Sequence, residues 1–144
     1  MTKNFTYEEM IESATARRLK ISNEPTQQDK RNIEKLCEDI LQPIRDKIEV
    51  PIIVDSGYRS TALNKIIGGS ATSQHITGAA ADIRIMPATG ESQKQANQRL
   101  FNFIKSMVIN NEIKVGQLID EYNYSWIHVS LPSYKHINDI RHLS

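Results

Sequence analysis

Cysteine and long apolar runs are scarce in this 144-residue sequence. Its single cysteine, Cys37, excludes an internal disulfide and a cysteine-rich zinc site. No apolar run approaches the roughly 18 residues that a membrane-spanning helix needs. The first six residues contain no apolar core of the signal-peptide type. We therefore expect no membrane segment and no Sec export signal.

An excess of charge of one sign is also missing, since the formal net charge is only +1. Lysine and arginine are scattered, and no basic tract carries interleaved aromatic residues, so nucleic acid is not an expected partner. The content of 39% hydrophobic and 24% charged residues is ordinary for a globular protein. We expect one domain spanning residues 1–144, with nothing that requires more than a monomer.

Capping signals and periodicity predict the helices of the first third of the chain. Thr6 followed by Glu9 predicts a helix that ends near residue 18. Thr26 and Asp29 predict the start of a second helix. Apolar residues then recur at steps of three and four over residues 33–48, which predicts a long amphipathic helix. Pro43 lies inside it, so we expect a kink or break near Gln42. Cys37 lies in the apolar stripe and should be buried.

The rest of the chain mixes strand and helix patterns. We expect strands at 51–55 and 83–85, helices at 61–67 and 91–109, and a hairpin of 117–122 with 126–131. The polar tail from Pro132 should wrap the surface. The predicted fold class is α+β, a small antiparallel sheet flanked by helices.

Two histidines and an aspartate are the first candidates for chemistry. His75 and Asp82 are separated by Gly78 and three alanines, which favours a loop that leads into a tightly packed strand. His128 lies in a second strand-like run, 126–130. Two histidines and one carboxylate suit zinc and leave a fourth position open for water. We hypothesise a catalytic zinc site of His75, Asp82 and His128; the alternative is that these histidines are structural.

A zinc hydrolase also needs a carboxylate that accepts the proton of the attacking water. Asp120 and Glu121 precede the predicted hairpin turn, and strand alternation places them on opposite faces. A three-residue loop at 123–125 would set Asp120 opposite His128, whereas a bulge or a different loop would favour Glu121. The pattern leaves both open, together with a merely solvated hairpin face.

Arg59 is the candidate for substrate binding, because it lies in the turn directly after the predicted strand at 51–55. Arginine suits the bidentate capture of a carboxylate, such as the free end of a peptide. The alternatives are a surface arginine or a salt bridge to Asp55.

Several motifs occur in one order along the chain: Ser56-Gly57-Tyr58-Arg59-Ser60, Leu63-Asn64, Gly68-Gly69, Ser73-Gln74-His75, Gly78, Ala81-Asp82 and Trp126-Ile127-His128-Val129-Ser130. This series resembles the zinc D-Ala-D-Ala carboxypeptidase family, whose fold is shared with the Hedgehog signalling domain. The resemblance extends from about residue 5 to about residue 131, and compact members of this type are common in bacteriophages and prophages. It implies a Hedgehog/DD-peptidase-like fold.

The resemblance also implies roles for particular residues. Zn²⁺ would be bound by the cluster His75, Asp82 and His128. Arg59 would hold a substrate carboxylate with help from Ser73, and Trp126 would line the site.

The expected base departs from the commonest pattern of the family. Many relatives carry the catalytic glutamate three residues before the last histidine, where this chain has Ser125. Other relatives use the preceding strand, and the segment 117–121 resembles that subgroup, which favours Glu121 over Asp120.

The function implied is a zinc metallopeptidase that hydrolyses peptide bonds in peptidoglycan stem peptides. It would be of the D-Ala-D-Ala carboxypeptidase or endopeptidase type, with a phage endolysin as one form. The alternative is a non-catalytic zinc-containing module of the same fold, which binds cell walls or belongs to a phage particle. Without a Sec signal, we expect synthesis in the cytoplasm and action on the wall after release, or as part of a virion.

Overall fold

The computed structural model of the chain describes residues 1–143, and helices flank one five-stranded sheet in it. The helices α1 to α6 span Tyr7–Ile11, Ala14–Leu19, Gln27–Leu36, Gln42–Ile48, Thr61–Ile67 and Gln93–Ile109. The strands β1 to β5 span Ile52–Ser56, Ala80–Ile85, Gln117–Glu121, Trp126–Ser130 and Asp139–Leu143. The predicted α+β class is confirmed. Within residues 1–143, no helix is both long enough and apolar enough to cross a membrane.

The first predicted helix is divided in two. Thr6 and Glu9 form the expected capping box at the start of α1. The helix then stops at Ile11, because the Ser13 side chain accepts a hydrogen bond from the Ala16 amide and begins α2. Because Ser13 caps a new helix inside the apolar pattern, the chain forms two helices where one was predicted.

The long amphipathic helix is continuous but irregular where Pro43 was expected to disturb it. A π-helical turn, Cys37–Leu41, joins α3 to α4 and ends two positions before Pro43. The wider turn relieves the clash between a proline ring and the carbonyl group one turn earlier. Cys37 is 0% exposed, and its burial raises the pKa of the thiol to about 12.

The strands lie in the order β1-β2-β4-β3-β5, with antiparallel pairing throughout except between β3 and β5. The polar tail was predicted to wrap the surface. Instead, its last residues form strand β5 of the sheet. The Asn138 side chain accepts a hydrogen bond from the Val115 amide, and the Asp139 amide donates to Gly116. These bonds align the tail with β3 and cover an edge that would otherwise be unpaired.

The hairpin loop contains four residues, Tyr122–Ser125, and not the three that separate the predicted strands, so the alternative of a different loop holds. Three consecutive residues of the loop adopt positive φ angles of 49°, 56° and 63°. The Ser125 amide then donates to the Glu121 carbonyl oxygen. This closure pairs Glu121 with Trp126 and leaves His128 opposite Ile119.

The sheet has one apolar face and one polar face. Helix α6 packs against β2, β3 and β4 on the apolar face. The strand residues buried there include Ala81, Ile83, Leu118, Ile127 and Val129. Alternate residues of the same strands point to the opposite face, where they line an open cleft.

Gly78 connects the helical layer to this cleft. It ends a 3-10 helix, Gln74–Thr77, with a φ angle of +78°. A Cβ atom at this position would lie 2.7 Å from the Asp29 carbonyl oxygen and 2.8 Å from Ile33 Cγ1, both in α3. Only glycine allows the segment before β2 to turn while resting on α3.

Gly78→Ala should lower the free energy of unfolding by about 3 kcal/mol, because strain at positive φ adds to overpacking against α3. Gly90→Ala is the matched control, since Gly90 has a φ angle of +80° but no heavy atom within 4 Å of an added Cβ. That variant should lose only about 1 kcal/mol. Urea unfolding with a chelator present measures both, and equal losses would contradict the importance of the contact with α3.

Candidate active site

Asp82 and His128 are cross-strand neighbours on β2 and β4. Asp82 Oδ1 lies 3.1 Å from His128 Nδ1 and 3.3 Å from His75 Nε2. One possible ligand atom from each residue falls within 4.8 Å of the others. The structure therefore brings the three predicted ligands to one point.

His75 reaches this point from the 3-10 helix. The Ser73 hydroxyl accepts a hydrogen bond from the His75 amide, and the His75 carbonyl oxygen accepts one from the Arg59 amide. The imidazole is only 2% exposed, and its Nδ1 donates to the Gly57 carbonyl oxygen over 2.7 Å. Because a carbonyl oxygen only accepts, this bond places the proton on Nδ1 and leaves the Nε2 lone pair free.

Nε2 of His75 is buried and has no hydrogen-bond partner among the described residues. Such an atom is costly unless something outside the chain satisfies it. A second ring nitrogen fixed by a backbone carbonyl group is the usual arrangement of a metal-binding histidine. The donor set of two imidazoles and one carboxylate fits Zn²⁺.

Asp82 is held as an anion at the centre of the cluster. Its burial opposes ionisation, but the hydrogen bond from His128 and the closeness of the two imidazole rings outweigh that effect and lower the pKa of the carboxyl group below its ordinary value. A buried carboxylate between two imidazoles is favourable for a divalent cation, because the anion needs no deprotonation at neutral pH.

Glu121 shares the cleft face with His128, and Asp120 does not. Glu121 Oε1 lies 3.8 Å from His128 Nδ1 and accepts a hydrogen bond from Trp126 Nε1 over 3.2 Å. Asp120 is buried on the opposite face, where it pairs with His142 of β5. The geometry therefore removes Asp120 from the cleft and leaves Glu121 as the carboxylate beside the cluster.

Arg59 is positioned by the turn that follows β1. Burial lowers the pKa of its guanidinium group, and the nearby carboxylates of Asp82 and Glu121 act in the opposite direction. Its Nε is buried without a hydrogen-bond partner among residues 1–143. Asp55, the alternative partner considered above, is instead bonded to Arg84 over 2.9 Å. The guanidinium group is thus available to an external anion.

One open cleft of about 1040 Å³ contains every predicted site residue. These residues are Arg59, Ser73, His75, Asp82, Glu121, Trp126 and His128. The cleft is also lined by Gln117 and by the turn Ser133–His136, which the sequence analysis missed. No pattern in the polar tail indicated that turn, because it reaches the cleft only through the pairing of β5.

The sequence profile of the family described as Peptidase M15 matches residues 3–130. The chain belongs to the peptidase M15 family. Among solved structures, it is similar to the L-Ala D-Glu endopeptidase ChiX of Serratia marcescens, with 22% sequence identity and a TM-score of 0.46. That alignment covers 75% of this chain and 92% of the other. None of the curated protein sequences compared with the chain matches it.

Membership of this family confirms the zinc peptidase relationship that the motifs indicated. The matched region, residues 3–130, contains the whole His/Asp/His cluster together with Arg59, Glu121 and Trp126. The turn Ser133–His136 and strand β5 lie beyond it.

Asp82→Asn should abolish tight zinc binding, because the variant loses the only carboxylate of the cluster. Asp120→Asn is the matched control, since it neutralises another buried carboxylate, which lies on the other face of the sheet. Metal analysis by mass spectrometry after gel filtration should find about one zinc per chain in the control and almost none in Asp82→Asn. Equal zinc contents would remove Asp82 from the ligand set.

Proposed function

We propose that this M15 family member is a zinc-dependent peptidase that hydrolyses peptide bonds in peptidoglycan stem peptides. The observation that carries the proposal is the unpartnered Nε2 of His75, which faces Asp82 and His128 in a cleft that also holds Glu121. The donor set supports a metal, and the cleft is large enough to admit an extended peptide.

Zn²⁺ bound by His75, Asp82 and His128 would supply the Lewis acidity that activates water and polarises the scissile carbonyl group. Glu121 accepts the proton of the attacking water and passes it to the departing amine. The Trp126 indole donates to Glu121 and fixes the direction of its carboxylate. The Glu121 oxygen that this bond leaves free is then available to the water.

Arg59 supports recognition of a substrate carboxylate. Its guanidinium group lines the same cleft and has no acidic partner within 4.0 Å among the described residues. Substrates that end close to the scissile bond, as in carboxypeptidase action on D-Ala-D-Ala, present such a carboxylate there. The substrate of an endopeptidase would offer Arg59 either a side-chain carboxylate or no carboxylate.

Glu121→Gln should lower kcat by at least about a hundredfold, because the amide cannot accept a proton. Zinc content should stay unchanged, since His75, Asp82 and His128 remain. The test is mass spectrometry of a defined muropeptide ending in D-Ala-D-Ala, incubated with and without a chelator. Asp120→Asn should keep near-normal kcat, and an active Glu121→Gln enzyme would contradict the assignment of the base.

Arg59→Ala should raise KM by about tenfold on substrates with a terminal carboxylate, because a charge-assisted bidentate pair is lost. The effect should be much smaller on the same peptides with an amidated C-terminus. Steady-state kinetics on the acid and amide pair measures this difference. An equal effect on both would mean that Arg59 only supports the fold.

The second candidate is a non-catalytic wall-binding or phage structural module. It is favoured by Ser125, which occupies the position of the catalytic glutamate in many relatives and donates its hydroxyl to the Tyr122 carbonyl oxygen. This candidate predicts zinc binding and muropeptide binding without any mass loss. Cleavage that the chelator blocks would exclude it, and the fragment mass would separate terminal trimming from internal cutting.

A further inference from the structure

The turn Ser133–His136 forms part of the cleft wall, although it follows the last residue of the family match. It leaves β4 beside the ligand cluster and leads into β5. The turn lies between β4 and β5, whereas Arg59 follows β1 at the other edge of the sheet. The cleft is therefore bounded by two separate segments that carry cations.

The turn is built as a rigid platform. The Ser133 amide donates to the His136 carbonyl oxygen over 2.9 Å, and the His136 amide donates to the Ser133 hydroxyl over 3.2 Å. His136 Nδ1 lies 3.1 Å from Asp139 Oδ2, which joins the turn to the first residue of β5. These bonds fix the backbone of the turn, which lowers the entropy that is lost when the turn binds a ligand.

The turn presents an aromatic ring and an ammonium group. Tyr134 is 93% exposed, and the Lys135 ammonium lies 5.8 Å from the centre of its ring. This cation–π contact orients the lysine side chain. Within residues 1–143, Lys135 has no carboxylate partner within 4.0 Å, so its charge is available to a bound molecule.

We propose that Lys135, oriented by Tyr134, binds a second carboxylate of the substrate, distinct from the one that Arg59 holds. The inference rests on the proposed function, because it assumes a stem peptide in the cleft. A glutamate residue within a peptide keeps one free carboxylate whichever of its two carboxyl groups forms the peptide bond. The subsite therefore selects stems with a free glutamate carboxylate over stems in which that group is amidated.

The test is a double-mutant cycle between Lys135 and the substrate carboxylate. Two synthetic stem pentapeptides are used, L-Ala, D-Glu, L-Lys, D-Ala, D-Ala and its analogue with the free glutamate carboxylate amidated. Calorimetry measures Kd on zinc-loaded protein in a Glu121→Gln background, which prevents turnover. The acid should bind about threefold to fivefold more tightly than the amide, the range of a partly exposed ion pair. Lys135→Gln should abolish this preference.

Lys114→Gln is the matched control, because Lys114 is exposed near the base of the turn but does not line the cleft. It should keep the full preference for the acid, and Tyr134→Ala should reduce that preference in part. The preference should also weaken with added salt. An unchanged ratio in Lys135→Gln, or no binding of either peptide at millimolar concentration, overturns the proposal.

The test of the Lys135 subsite can fail or succeed independently of the test of the proposed peptidase function. Cleavage of the same peptides by the protein with Glu121 intact tests the peptidase, whereas the Kd ratio tests the subsite. Binding with the Lys135-dependent preference but without cleavage would support the subsite on a non-catalytic module. Cleavage with no preference would keep the peptidase and remove the subsite.

Discussion

The register of β2 against β4 is the constraint on which the site depends. It sets Asp82 directly opposite His128, while the neighbouring pairs, Ala81 with Val129 and Ile83 with Ile127, point to the core. A slip of one residue would send one of the two ligands to the face covered by α6. Such a slip would also expose two fully buried apolar residues, so the hydrophobic core itself selects the register that brings the proposed metal ligands together.

The third ligand depends on contacts far from the sheet. His75 is oriented by the carbonyl group of Gly57, and a side chain at Gly57 would collide with the carbonyl group of Met10 in α1. The packing of α1 therefore determines the direction of an imidazole. With Nε2 unpartnered, the folded chain carries a desolvation cost of about 1–3 kcal/mol that a cation bound there would offset. Under the proposed function, metal binding and folding stability would therefore be coupled through His75.

Local signals allowed most of this arrangement to be predicted from the sequence. Capping residues and apolar periodicity located the starts of α1 and α3, and the His/Asp/His motif identified three residues that the structure brings together. The four-residue hairpin loop could not be predicted, because it requires Tyr122, Asn123 and Tyr124 to adopt positive φ without a glycine. Strand β5 could not be predicted because its residues lack an apolar pattern, and it is held by backbone pairing with β3 and by contacts of His142.

Adjacent carboxylates on β3 show how one strand serves both structure and chemistry. Alternation sends Asp120 to the apolar face, where it meets His142 of β5, whose ring lies against Phe101 of α6. The same alternation sends Glu121 to the cleft, beside His128. The contact that anchors β5 is therefore made one residue away from the proposed base. The turn that bears Lys135 leads into β5, and β5 pairs with β3, which carries the proposed base. Backbone pairing between these two strands therefore ties the proposed second subsite to the strand of Glu121.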